Sequence, residues 1–180
     1  KQQTEKLSTT ELTKRLEYKG GKTWTDKDGV VHEIKPTTAF GLVTGFEDLE
    51  VLDIDLKVFS TAKEQKDFWE EFIGYLQDNI LDFEDKFVIY KTKNAGYHII
   101  YKTKRIEGNL KLAKLKGHKE AVIETRGRFG YIFAYPENKV SKKDYFQVEY
   151  ISDDDREILF SFSRMYNYIE EVTIEPKKEK

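Results

Sequence analysis

An apolar segment of the chain is interrupted by two acidic side chains that could bind metal. The segment EVLDIDLK (50–57) has the composition of a buried strand, yet it contains Asp53 and Asp55. Side chains alternate along a strand, so both aspartates point to one face, about 7 Å apart. Neighbouring carboxylates repel each other, and a shared Mg²⁺ or Mn²⁺ ion would remove that repulsion. The alternative is a solvated pair whose charge is balanced by Lys57.

Two later segments also place titratable side chains among apolar ones. GYHIIYK contains His98, and AVIETRG contains Glu124 and Arg126 on one strand face. Taken singly, His98 is typical of a hydrogen-bonded core histidine, and Glu124 with Arg126 is typical of an ion pair within a sheet. Together with the aspartates they indicate a polar site, because buried charges must be paired or bound to metal.

The order of these segments resembles that of the bifunctional primase–polymerase (prim-pol) family, the archaeo-eukaryotic-type primases of plasmids, phages and integrated elements. The resemblance covers about residues 35–150 and rests on GLVTGFEDLEVLDID, KNAGYHIIY and VIETRGRFGYIFAYP. Family members show a Gly-containing strand before a D-x-D/E strand and a small-residue hairpin before a histidine strand. An acid followed by R-G and an aromatic strand ending in proline completes the set, which is more specific than any of its parts.

The resemblance implies an RRM-like antiparallel catalytic core joined to a small N-terminal α/β lobe, with a two-metal site in the cleft between them. Asp53 and Asp55 match the first metal-binding pair of the family. Glu124 matches the third carboxylate, where the family more often has aspartate. His98 matches the histidine that contacts the phosphates of the incoming nucleotide. These four residues are therefore the expected catalytic set, with two Mg²⁺ or Mn²⁺ ions held by the three acids.

The same resemblance implies where a nucleoside triphosphate binds. Lys93 and Arg126 are expected to contact the triphosphate, and Asn94 falls where many members have a phosphate-binding serine. Gly96 and Gly45 are expected to let backbone approach the substrate closely. The implied activity is template-dependent nucleotidyl transfer by a DNA primase or DNA polymerase. It would join nucleoside triphosphates onto a 3′-hydroxyl during replication of a phage, plasmid or mobile element.

A basic segment between the histidine and glutamate strands is the candidate contact to DNA. Residues 102–119 hold seven Lys or Arg and one Glu, whereas the whole chain has a net charge of −2. Such a local patch is expected to border the cleft and track template phosphates. A solvated charged loop is the open alternative. The expected contacts are Lys102, Lys104, Arg105, Lys111, Lys114 and Lys116.

Two other functions remain open from the sequence. The first is a metal-dependent nuclease, because Asp55 and Lys57 resemble a D-x-K site in which a lysine helps to activate water. It leaves His98 and the ETRG segment unexplained. The second is a non-catalytic RRM-like module that binds nucleic acid, although the chain lacks an RNP-type signature.

The elements that must position these residues form a mixed α+β pattern, mainly antiparallel, with helices packed on the sheet. Segments 87–92 and 96–103 are predicted to pair as one hairpin, and 121–127 and 131–136 as another. Helices are predicted over 8–20, 61–80 and 152–170, and strands over the two arms of 22–34 and over 39–45, 50–57, 87–92, 96–103, 121–127, 131–136 and 145–151.

A single prim-pol domain is predicted over residues 1–175. The N-terminal lobe is assigned to 1–50 and parts of 60–95, the RRM-like core mainly to 96–151, the C-terminal helix to 152–170 and a disordered tail to 171–180. The chain has no cysteine, which excludes disulfides and thiolate zinc sites and fits a cytoplasmic location. No apolar run reaches the roughly 18 residues of a membrane span.

Expected partners follow from the implied activity. They are a DNA template with its primer and nucleoside triphosphates, with no membrane. A helicase domain or protein is a further expected partner, since the Lys1 start suggests a piece of a larger primase–helicase.

Overall fold

The computed structural model describes residues 8–36 and 41–168. These residues form a mixed α+β structure with antiparallel sheets, which confirms the predicted class. The helices are α1 (Thr9–Leu16), α2 (Ala62–Asn79), α3 (Phe83–Lys86) and α4 (Asp153–Met165). The strands are β1 (Lys22–Thr25), β2 (Val31–Ile34), β3 (Gly41–Val43), β4 (Leu49–Asp55), β5 (Val88–Lys91), β6 (Gly96–Lys102), β7 (Lys111–Ala113), β8 (Ile123–Arg126) and β9 (Tyr131–Phe133).

Five strands form one antiparallel sheet in the order β5-β6-β4-β8-β7. β4 is the central strand and pairs with β6 along its whole length, from Leu49 opposite Lys102 to Asp55 opposite Gly96. The other described strands form two ribbons, β1 with β2 and β3 with β9. The acidic strand of the sequence therefore lies at the centre of the largest sheet.

One face of this sheet carries the larger apolar core. Leu52 and Ile54 point into it, as the alternation along β4 predicts, and α2 and α4 cover it. α2 begins at a capping box in which Thr61 and Glu64 satisfy each other's backbone N–H groups. The buried side chains of the two helices recur at helical spacing along one stripe. They are Phe68, Phe72, Leu76, Leu159, Phe160 and Phe162.

The opposite face is covered over only part of its area. Val51, Val88, Tyr90 and Ile100 pack there against Ile132 of β9. The β3–β9 ribbon therefore lies over this part of the sheet. The remainder, toward the end of β4 that carries the aspartates, is left to polar side chains.

One predicted strand pairing and one predicted strand are wrong. Segments 121–127 and 131–136 do not pair as a hairpin, because β8 pairs with β4 and β7 while β9 pairs with β3. Segment 145–151 is not a strand. Tyr150 makes only an isolated bridge to Lys102, and Tyr145 instead stacks on Tyr90 with ring centroids 3.9 Å apart. The first helix also ends at Leu16, before the predicted stop near residue 20.

The described residues bear on the predicted domain layout in two ways. α2 and β5, from the range 60–95, share the sheet and core of β6. The predicted tail 171–180 lies outside the described residues, as do residues 169 and 170 of the predicted C-terminal helix. Across 8–36 and 41–168, none of the helices has the length and apolar character required to cross a bilayer.

Candidate active site: a row of titratable side chains across the sheet

A lateral row of side chains crosses all five strands on the partly open face of the sheet. Asp53 on β4 lies directly opposite His98 on β6 and Glu124 on β8. The row continues to Tyr90 on β5 and Lys111 on β7. Directly opposed residues of antiparallel strands point to the same face. Strand register therefore brings the predicted aspartate, histidine and glutamate side by side.

Arg126 lies two residues beyond Glu124 on β8 and bridges two carboxylates of the row. Its guanidinium donates hydrogen bonds to Asp53 Oδ2 over 3.1 and 3.2 Å and another to Glu124 Oε1. Burial raises the pKa of Asp53 and the pKa of Glu124, and the charge of Arg126 opposes both shifts. The ion pair considered from the sequence is thus present, and it includes Asp53 as well as Glu124.

Asp55 lies at the end of β4 and is bound to a lysine. Lys57 Nζ lies 2.7 Å from Asp55 Oδ2 and 3.1 Å from Glu120 Oε2. Lys57 belongs to a 3-10 turn after β4, so the strand predicted over 50–57 ends before it, although its side chain still meets Asp55. Hydrogen bonds to Asp55 and Glu120 raise the pKa of Lys57, which keeps its ammonium group charged.

His98 is buried in the row with one ring nitrogen unused. Its Nε2 lies 3.6 Å from Asp53 Oδ1, beyond hydrogen-bond distance, and its Nδ1 has no hydrogen-bond partner among the described residues. Burial, helped by the charge of Arg126, lowers the pKa of His98 to about 4. The imidazole is therefore neutral at physiological pH. It is not the fully hydrogen-bonded core histidine considered from the sequence, and it retains capacity for a ligand.

These side chains border a cleft of about 370 Å³. The partly open face of the sheet forms one wall, and segment 129–135, which contains β9, forms the other. Glu124 is connected to the cleft through Arg126. The predicted site residues that line it directly are Asp53, Asp55, Asn94, His98 and Arg126.

Three residues predicted to contact nucleotide do not line the cleft. Lys93 is exposed in the β5–β6 turn, beside Asn94, which does line it. Gly96 is buried, and a Cβ there would collide with the Ile54 carbonyl oxygen, so the close approach of its backbone is to β4. Gly45 has φ +77° and packs against the backbone of residue 128. For both glycines the structure supplies a packing reason in place of the expected one.

The basic segment is divided between opposite ends of the sheet. Lys111 lies opposite Glu124, on the row. Lys104 lies at the far end of β4 and binds Asp48 at 2.6 Å. Its neighbours in that group are Lys102, beside Tyr150, and Arg105, beside Asp153. Lys114 and Lys116 lie near Asn167 and Tyr168. None of the six predicted cations lines the cleft, although Asn109 of the same segment does.

The carboxylates supply the donor atoms that a divalent cation requires, but they are not arranged as a preformed site. Over the described part of the chain, no group of three or more acidic or histidine side chains is positioned to hold a metal ion. Arg126 and Lys57 instead neutralise Asp53, Glu124 and Asp55. The three acids nevertheless share one face of two adjacent strands, and burial disfavours their charged forms at Asp53 and Glu124. The chemistry of the donors therefore fits Mg²⁺ or Mn²⁺, provided that the two cationic side chains yield their positions.

The cleft also contains residues that the sequence analysis did not select. Most of them belong to segment 129–135, which faces the sheet only because β9 pairs with the distant strand β3. A signal was present in the excess of aromatic residues within RFGYIFAY. The unselected polar and aromatic residues of the lining are Thr92, Asn109, Phe129, Tyr131, Phe133 and Tyr135.

Comparison with protein-family models gives no match for this chain, and comparison with curated protein sequences gives no significant match either.

Proposed function

We propose that this protein is a template-dependent nucleotidyltransferase, a DNA primase or DNA polymerase of a phage, plasmid or mobile element. The observation that carries the proposal is the row in which His98, Asp53 and Glu124 are directly opposed on neighbouring strands beside a cleft. Asp55 lies two residues along the same strand face. The three acids and the histidine are the residues that the prim-pol resemblance selects.

Each residue of the row has a role in this reaction that its environment supports. Two divalent cations held by Asp53, Asp55 and Glu124 would supply activation of the 3′-hydroxyl and neutralisation of the leaving pyrophosphate. His98 lines the cleft and is neutral, so a ring N–H can donate a hydrogen bond to a phosphate oxygen. Arg126, once released from the carboxylates, is suited to bidentate contact with the triphosphate. Asn94 at the cleft edge can donate its amide to the same group.

The order of elements is compatible with the RRM-like core that this proposal needs. β4, α2, β5 and β6 occur in the chain as β-α-β-β, with the short helix α3 between α2 and β5. The sheet order of β5, β6, β4 and β8 places β4 and β6 at the centre. A second helix between β6 and β8, which a full β-α-β-β-α-β unit would contain, is absent among the described residues. α4 packs beside α2 on the same face instead.

Primer extension on a single-stranded template tests the proposal. The chain is mixed with a primed template, nucleoside triphosphates and Mn²⁺ or Mg²⁺, and product length is measured on a denaturing gel. Asp53→Asn and Asp55→Asn should each reduce the extension rate by about 100-fold or more, since each removes a negative charge from the reacting centre while preserving shape. Asp48→Asn is the matched control, because Asp48 lies at the other end of β4 and binds Lys104.

The wild-type chain should also leave the DNA intact when nucleoside triphosphates are omitted. Failure of the wild type to extend any primer, or equal extension by the Asp53→Asn variant, would overturn the proposal. DNA cleavage without triphosphates would instead favour the nuclease.

The nuclease is retained as a second candidate because Lys57 lines the cleft beside Asp55. Two observations weigh against it. Lys57 has a raised pKa and two acidic partners, so it is not poised to accept a proton from water. The row through His98 would also be left without a role. A non-catalytic RRM-like module is disfavoured since the centre of this face carries Asp53 and His98 where such modules carry base-stacking aromatics.

A further inference from the structure

Three exposed aromatic residues belong to the segment that forms one wall of the cleft. Phe129, Tyr131 and Phe133, here called the aromatic rim, all line the cleft, and each exposes half or more of its surface. Exposed aromatics scattered over a surface need no explanation, but three within five residues along one cleft do. The proposed chemistry of the acidic row does not use them.

The backbone at the first residue of the rim is strained and is held in place by its surroundings. Phe129 adopts φ +67°, a left-handed conformation that is unfavourable for a bulky side chain, and it is 80% exposed. Glycines stand nearby at 127 and 130, yet neither of them takes the left-handed position. The turn is fixed from outside, because the Arg128 N–H donates to the Glu107 carbonyl at 2.6 Å and Thr44 Oγ1 donates to the Gly127 carbonyl at 2.7 Å. Strain of this kind that is held in place by its surroundings is characteristic of ligand-binding positions.

The strand that follows orders the other two rings. Ile132 is buried in the core beneath, so the alternation along β9 turns Tyr131 and Phe133 away from that core, about 7 Å apart. Their rings meet edge to face at 6.0 Å, which leaves ring faces available. On the partner strand Gly41 lies opposite Phe133 and so offers no side chain to cover it. Tyr135 lies further along the same segment, and its ring centroid is 6.0 Å from that of His98.

Nucleobases are the ligand that these features fit. Flat aromatic faces at strand spacing, exposed to solvent along a cleft, provide stacking surfaces that accept any base. Arg128 is exposed between Gly127 and Phe129 and supplies a cation at the same turn for a phosphate. The rim and Asp53 of the acidic row line the same cleft. This placement suits a template strand, which must pass beside the reacting centre.

We propose that the aromatic rim binds the bases of the single-stranded DNA template by stacking and guides that strand to the acidic row. The proposal rests on the proposed function for the identity of the strand as a template. Binding of a single strand is measured without metal or triphosphates, so this inference and the polymerase assignment can fail separately.

Fluorescence anisotropy with a fluorescein-labelled, mixed-sequence DNA single strand tests the rim. Phe129→Ala and Tyr131→Ala should each weaken binding by about 5- to 150-fold, the range expected for loss of one stacked base. Phe146→Ala is the matched control, because Phe146 is 97% exposed but does not line the cleft, and it should bind as the wild type does. Tyr131→Trp should retain binding, since it preserves a stacking face.

Two further measurements separate stacking from folding and from charge. Against a strand whose bases have been replaced by abasic sites, the wild type and both alanine variants should bind equally weakly. Phe129→Gly should lose strand affinity as Phe129→Ala does, while melting no lower than the wild type, because glycine adopts φ +67° without strain.

The outcomes discriminate clearly. Equal strand binding by the wild type and both alanine variants would overturn the inference, as would absence of strand binding by the wild type. Equal reductions in affinity on the abasic strand would also overturn it, because the rim would then act without bases. If the variants keep strand binding but lose affinity for nucleoside triphosphate, the inference is overturned and the rim binds the incoming nucleotide instead. If DNA binding depends on the rim but no primer is extended, the polymerase assignment alone would be overturned.

Discussion

At the scale of single residues, Arg126 decides the state of the acidic row. It neutralises Asp53 and Glu124, whose pKa values burial would otherwise raise further. A divalent cation bound by the same oxygens must compete with this guanidinium. Arg126 is therefore expected to hold the metal-free site together and, at the same time, to weaken metal binding.

The substitution Arg126→Met tests this competition. It should lower the melting temperature of the metal-free protein at pH 7, because two part-buried carboxylates lose their shared cation. Mn²⁺ should then raise the melting temperature of the variant more than that of the wild type, since a ligand stabilises the folded state it binds. Thermal melts with chelator and with excess Mn²⁺ measure both effects.

Arg128→Met, two residues further along the chain, serves as the control, and Mn²⁺ should affect it as it does the wild type. The destabilisation by Arg126→Met should also shrink as pH falls. The folded-state pKa values of Asp53 and Glu124 are raised, so their charges cost stability above those values and cease to do so once the carboxyls are protonated. No Mn²⁺ response in either arginine variant or in the wild type would contradict the metal assignment.

At the scale of elements, a buried ion pair ties β4 to α4 on the helical face of the sheet. Arg156 donates to Glu50 Oε2 over 2.8 Å and to Glu50 Oε1 over 3.1 Å, and Tyr101 Oη donates to the same carboxylate at 2.8 Å. Glu50 is fully buried and Arg156 nearly so. A further bond joins Arg156 to Glu107, in the loop before β7. This network holds the central strand against the helix whose face completes the core.

Breaking the pair from one side should be costly. Glu50→Ala should lower the free energy of unfolding by about 3–5 kcal/mol, because Arg156 is left as a buried, unpaired charge. The double variant Glu50→Leu/Arg156→Met should be less destabilised than Glu50→Ala, since neither charge is then buried alone. Urea unfolding, monitored by tryptophan fluorescence, measures the free energy of unfolding of the wild type and of both variants. A double variant as unstable as the single one would show that the network stabilises by some route other than charge pairing.

The elements also show which parts of the fold the sequence could predict. Local patterns sufficed for β4, β6 and α2, because alternation and helical spacing are read within one segment. β7 was not predicted, because its three residues lie within a basic run and carry no strand pattern. The pairing of β9 with β3 joins residues some ninety positions apart, and nothing in RFGYIF distinguishes that partner from β8.

The site followed the same rule. Asp53, His98 and Glu124 were each identifiable as polar residues in apolar strands. Their shared row depends on the register between strands, which only the folded chain specifies. The contacts of Arg126 with Asp53 and Glu124 likewise depend on the register that places β8 beside β4.

At the scale of the whole molecule, charge is distributed rather than concentrated. The net charge is −2, and the basic segment divides between Lys111, Lys114 and Lys116 near β7 and a second group at the other end of β4. In that second group Lys104 is already engaged by Asp48 and Arg105 lies near Asp153. Within the β7 group, Lys111 lies on the acidic row, opposite Glu124. DNA binding should accordingly be weak, dependent on salt and dominated by one half of the segment.

The triple variant Lys111→Ala/Lys114→Ala/Lys116→Ala tests this division. It should weaken binding of a DNA single strand and lower the slope of log K against log salt concentration by about 0.7 for each phosphate that the protein no longer neutralises. The double variant Lys104→Ala/Arg105→Ala is the control and should change the slope little, because its charges are already balanced by Asp48 and Asp153. Anisotropy titrations over a range of NaCl concentrations measure the slopes. Equal slopes for the triple variant and the wild type would leave the aromatic rim as the main strand-binding surface, and a larger effect of the double variant would place the strand at the opposite end of the sheet.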